Sequence, residues 1–107
     1  MDSKMETLIM ELIVSAGSAR SFAMDAIRLA KEGDMAAARE ALEASEGETR
    51  KVHETQTGLI QAEARGERTE INLFMVHAQD HIMTAMLAKE LAREFVDLYG
   101  RMAGEKS

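Results

Sequence analysis

The chain has 107 residues, 19 of them acidic and 13 basic, for a formal charge of −6, and it contains neither cysteine nor proline. A chain of this length is one domain, and one so small gains stability by burying a face against copies of itself, so oligomerisation is expected. The acidic balance opposes the counterion release on which nucleic-acid binding depends, and the missing cysteines exclude disulfides, thiolate chemistry and cysteine-based metal sites. No apolar run reaches membrane-spanning length and no signal-type N-terminus is visible, which predicts a cytoplasmic protein without direct membrane insertion.

The abundance of Ala, Glu, Leu, Met and Arg is a helix-forming composition with no place for a sheet, so the fold is read as all-α. A first helix is expected over about 4–32. It carries Leu8, Leu12, Ser15, Ala19, Phe22, Ala26 and Leu29 at three-four spacing, flanked by Ile9, Ile13, Ala16, Ala23, Ile27 and Ala30. That apolar arc is too broad for a single two-partner seam. Glu32-Gly33-Asp34 ends it, glycine suiting the left-handed close of one helix and Asp34 the cap of the next.

A second helix, about 35–65, places Ala38, Leu42, Ser45, Thr49, Val52, Gln56 and Leu59 on one stripe, so that polar side chains interrupt its inward face. Gly47 lies within it at a modest cost of about 1 kcal/mol. Arg65-Gly66-Glu67-Arg68 forms the second turn, with Thr69 as the expected cap of a third helix over about 70–102 and a short disordered C-terminus after it. Short connections force neighbours to run in opposite directions, predicting an antiparallel up-down-up three-helix bundle. Counting back from a turn near Arg68 sets Gln56 level with Asp80.

The third helix holds the most informative stretch, Met75-Val76-His77-Ala78-Gln79-Asp80-His81-Ile82-Met83-Thr84. Residues three, four and seven apart lie within roughly 60° around a helix, so His77, Asp80, His81 and Thr84 form one stripe, set in what reads as a core-facing segment. A histidine in such a segment is usually a core residue with satisfied ring nitrogens. A carboxylate beside it is costly there unless paired, protonated or bound to a cation. Met75, Met83, Met86 and Met102 read as flexible core filler.

Three chemistries fit that stripe unequally. His-x-x-Asp-His offers metal ligands at helical spacing, but a bundle-type di-iron site needs a second such helix and further carboxylates, which the chain lacks. A Ser-His-Asp triad needs a hydroxyl presented at a strained turn, and none is evident. A phosphorylatable histidine needs only an imidazole, which is close to half neutral at physiological pH and attacks phosphorus without a dedicated base. With no phosphate-binding glycine loop, the donor would be another phosphoprotein rather than ATP.

On these residues the sequence resembles the lactose/diacetylchitobiose (cellobiose)-class enzyme IIA proteins of the bacterial sugar phosphotransferase system. The matching segments are Ala16-Gly17-Ser18-Ala19-Arg20-Ser21, His53-Glu54-Thr55-Gln56-Thr57-Gly58-Leu59-Ile60 and the block from His77 to Thr84, with the Gly33-Asp34 turn and the Leu98-Tyr99 ending similar too. Ser18, where an acidic or amide residue is common, and the loop Arg65-Gly66-Glu67-Arg68 depart from the family pattern.

The resemblance implies a homotrimer of three-helix protomers. It implies that His77 accepts a phosphoryl group on Nε2 from the phosphocarrier HPr and passes it to enzyme IIB, which serves the membrane enzyme IIC during uptake of a disaccharide. Asp80 from three chains would share one divalent cation, Mg²⁺ suiting three hard oxygen donors, and Gln56, Gln79, His81 and Thr84 would support the site. The alternative is a non-catalytic helical oligomerisation or metal-binding module.

Overall fold

In a computed structural model that describes residues 2–104, the chain forms three α-helices: α1 (Ser3–Lys31), α2 (Met35–Ala64) and α3 (Leu73–Met102). They run up, down and up as a rod of 52 × 23 × 17 Å, which matches about 45 Å of helix plus its turns. No strand occurs among the described residues. The C-terminal tail expected to be disordered lies, from Glu105 onward, outside the described residues.

Each end is built from local chemistry. Asp2 caps α1 by accepting from the Met5 amide at 2.8 Å. At the first turn Gly33 adopts φ 92°, and the Gly33 and Asp34 amides close on the carbonyls of Ala30 and Leu29. That pattern of two reverse bonds needs a residue comfortable at positive φ. Asp34 then accepts from the Ala37 amide at 3.1 Å and so starts α2 while it ends α1. Gly66, at φ 88°, repeats the closure after α2, with Glu67 donating to Ala62. The third helix starts later than the sequence reading places it. Asn72, not Thr69, is the cap, accepting from the Met75 amide at 2.9 Å, while residues 67–72 are non-helical. Asn is among the strongest caps, and the apolar Ile71 ahead of it hid the boundary.

The core is narrow and made mostly of alanine. Ala16, Ala19, Ala23, Ala26 and Ala30 of α1 are buried, as are Ala38 of α2 and Ala78, Ala85 and Ala92 of α3. Ile9, Ile82 and Val52 are its largest fully buried apolar side chains. Small residues let α1 lie close against both partners, whereas α2 and α3 meet less extensively and leave a groove between them. Polar side chains on α2 are satisfied inside this core. Ser45 Oγ donates to the Ala19 carbonyl across the α1–α2 interface at 2.7 Å, and Thr49 Oγ1 donates to the Ser45 carbonyl.

The large apolar side chains sit outside. On α3, Leu73, Val76, Met83, Leu87, Leu91 and Leu98 are exposed, and Met102 is 71 % exposed, so Met83 and Met102 do not fill the core as expected, whereas Met75 does. Such a continuous exposed apolar face is rare on a monomer that stays one.

Candidate functional site

The stripe from His77 to Thr84 does not face the protomer core. Met75, Ala78, Ile82 and Ala85 are the buried residues of this stretch, while His77, Asp80 and Thr84 are exposed and His81 is half-buried. The expectation of a carboxylate within the core layer is thereby corrected. The alternation arises because Ala78, Ile82 and Ala85 provide an inward face small enough to nest on α1, which leaves the polar side chains on the opposite half of the helix.

The two imidazoles touch. His77 Nε2 and His81 Nε2 are 2.9 Å apart, with ring centroids at 4.3 Å and planes at 77°. Four residues of helix bring both rings onto the same side, one turn apart. A hydrogen bond between two ring nitrogens holds one proton, so one ring donates and the other presents a lone pair. When His81 donates, His77 in its neutral form carries its proton on Nδ1 and keeps an electron pair on Nε2. That pair is the nucleophilic one.

Gln56 and Gln79 bridge the two helices on the other flank of α3. Gln56 Nε2 donates to Gln79 Oε1 at 2.9 Å and contacts Met83 Sδ at 3.5 Å, and Gln79 Nε2 reaches Met75 Sδ at 3.4 Å. Gln56 thus lies level with Gln79, one residue from the layer counted out of the sequence. The pair fixes the height of α3 against α2 without touching an imidazole. Thr84 Oγ1 donates to the carbonyls of Asp80 and His81, so its hydroxyl is spent on its own helix rather than on a histidine ring.

The Asp80 carboxylate has no hydrogen-bonding or ion-pair partner among the described residues, and it stands between Val76, Met83 and Leu87 on the exposed apolar face. No group of three His, Cys, Asp or Glu side chains comes together within the described part of one chain. His53, the third histidine, is exposed on α2 and belongs to the α2–α3 groove instead. Sequence reasoning missed two features. One is the direct contact between the rings, signalled by the i, i+4 spacing of His77 and His81. The other is a group of cations lining the α2–α3 groove, which a count of net charge conceals.

The chain is similar to known proteins over nearly its whole length. Residues 7–100 match the family model for the lactose/cellobiose-specific IIA subunit of the PTS system. The chain is 46 % identical over 106 residues to the lichenan-specific phosphotransferase enzyme IIA component of Bacillus subtilis, covering 99 % of this chain and 96 % of that one. Its fold superposes on the crystal structure of a PTS cellobiose-specific enzyme IIA from Bacillus anthracis with a TM-score of 0.90 at 47 % identity, covering 99 % and 97 % of the two chains. It also resembles IIA(Chitobiose) in the solution structure of the IIA(Chitobiose)–HPr complex of Escherichia coli, with a TM-score of 0.77 at 40 % identity and coverage of 92 % and 95 %.

Proposed function

This chain belongs to the lactose/cellobiose-specific IIA subunit family of the sugar phosphotransferase system, and we propose that it carries a phosphoryl group on His77 Nε2, taken from phosphorylated HPr and handed to an enzyme IIB. One observation carries the assignment to His77 over His81: of the two touching rings His77 is the exposed one and His81 is half-buried, so that His81, when it donates, holds His77 Nε2 in the lone-pair form. As the His81 N–H turns away from it, the Nε2 electron pair attacks phosphorus, the bond between phosphorus and the donor breaks, and that bond's electron pair leaves with the donor. The Nδ1 proton of His77 stays in place throughout. His81 Nε2–H is then free to donate to a phosphoryl oxygen, because the lone pair it faced is now bonded. Transfer to enzyme IIB reverses these roles. HPr as donor is supported by the complex in which the E. coli relative is found. Uptake of a disaccharide, with enzyme IIC as the membrane component reached through enzyme IIB, follows from the family.

The active form is a homotrimer built on the outer face of α3. Leu73, Val76, Met83, Leu87 and Leu91 repeat at three- and four-residue steps with Asp80 as the polar member, the pattern of a coiled-coil seam with one polar layer. Three exposed carboxylates converging there would repel, and a hard divalent cation such as Mg²⁺ would relieve that repulsion by taking oxygen donors. The donor chemistry of Asp80 fits such an ion; the cation's part is structural, and phosphoryl transfer does not run through it. No helix among the described residues is long and apolar enough to cross a membrane, and a cytoplasmic site of action follows from the role.

Incubation of the protein with phosphorylated HPr tests the assignment. Wild type should gain one acid-labile phosphoryl group per chain by intact mass, and His77→Gln none, with the helical circular dichroism unchanged. His53→Gln and His81→Gln should still be labelled. Equal labelling of all three variants would remove His77 from its role and leave a non-catalytic helical module as the reading.

A further inference from the structure

The groove between α2 and α3 holds a feature that the phosphoryl site does not use. Arg50 and His53 line it from α2, and Lys89 and Arg93 from α3, around Thr49 and Met86, in an open concavity of about 440 Å³. The chain as a whole is acidic, yet Glu46 is the one carboxylate in this lining, and it is engaged with Arg93. Arg50, His53 and Lys89 have no ion-pair partner among the described residues. Lys89 is the least expected of them. It lies on the core side of α3, between Ala85 and Ala92, and is partly buried rather than extended into water. A lysine stem covering apolar surface would explain Lys89 alone by sending its ammonium to solvent. It does not explain why Arg50, His53 and Arg93 converge on the same concavity from the facing helix and the next turn.

We propose that this groove is an anion site for a phosphate group, free or carried on a small molecule. Its volume is that of a small-ligand pocket. Its cations come from two helices and line one concavity, which suits a compact dianion better than an extended acidic polypeptide. Arg93, its guanidinium fixed on one edge by Glu46, keeps further N–H groups for a second acceptor. Arg50 supplies a second fork and Lys89 a point charge. The site is separate from His77: nine residues at ~100° each put Lys89 half a helical turn from Asp80, so an assembly built on the Asp80 face leaves the groove open. Inorganic phosphate and a sugar phosphate share the group that the groove recognises.

Titration of the full-length ¹⁵N-labelled protein with inorganic phosphate, glucose 6-phosphate and a polyglutamate peptide, at constant ionic strength, tests this by amide and His53 ring shifts. Saturable shifts centred on Arg50, His53, Lys89 and Arg93 are expected with either phosphate compound, unchanged in His77→Gln. Arg50→Gln/Lys89→Gln should weaken binding by about tenfold or more, while Lys51→Gln, on the other side of α2, should not. Tighter binding of glucose 6-phosphate than of phosphate assigns the sugar phosphate as ligand, and equal binding assigns the phosphate group alone. The proposal is overturned if neither compound gives saturable shifts in the groove, if the shifts vanish in His77→Gln, or if only the polyglutamate peptide binds.

Discussion

The contact between the two imidazoles ties the chemistry of His77 to the ring one turn away. His81→Gln keeps a side chain able to donate but removes the fixed ring-to-ring geometry, so labelling of His77 should persist at a rate reduced about five- to tenfold, the worth of one hydrogen bond. A stopped-flow measurement of transfer from phosphorylated HPr reads this directly, and an unchanged rate would reduce His81 to a bystander. Ser45 tests the core at the same scale. Its hydroxyl is fully buried against the Ala19 carbonyl, so Ser45→Ala should cost about 1 kcal/mol. Ser45→Leu should cost several times more, because the alanine-lined interface has no room for the added volume. Urea melts of the two variants separate lost bonding from overpacking.

At the scale of elements, ends were easier to read from the sequence than faces. Gly33 and Asp34 announce their turn because a left-handed glycine followed by a capping aspartate has few other uses. Asn72 does not stand out as a cap because Ile71 ahead of it opens the apolar run, although Ile71 is 81 % exposed. Replacing Asn72 with Ala should cost about 1 kcal/mol of stability, and Thr69→Ala close to nothing, in thermal melts. Similar losses would return the cap to Thr69. The face of α3 is hidden in the sequence for a physical reason. Periodicity weights large side chains, and in α3 these mark the outside while Ala78, Ala85 and Ala92 mark the inside. An apolar stripe reports that a surface is to be buried, not which neighbour buries it. The stripe holding His77 and Asp80 was therefore legible as a unit and its direction was not, and the groove cations escaped because no periodic signal links α2 to α3.

At the scale of the molecule, a protomer with alanine inside and leucine outside is half of an interface looking for its other half. In the proposed trimer, Asp80→Leu removes like-charge repulsion and adds apolar packing. The trimer should then persist without divalent cation and gain up to a few kcal/mol, as replacement of buried ions often does. Wild type should lose thermal stability on chelation, by an amount set by the cation's affinity for the folded assembly. Sedimentation velocity with paired melts checks both. Dissociation of Asp80→Leu, with wild type indifferent to chelator, would remove the metal-centred trimer and make Asp80 an exposed carboxylate of one chain.

The claim on which the rest depends is that one nitrogen of one histidine carries the phosphoryl group. Long-range ¹H–¹⁵N correlation spectra of the protein, recorded before and after reaction with phosphorylated HPr, report every ring nitrogen of His53, His77 and His81 at once. The account predicts that only His77 Nε2 gains a phosphorus coupling, with Nδ1 of the same ring protonated. A coupling on His53, on His81 or on His77 Nδ1 would contradict it.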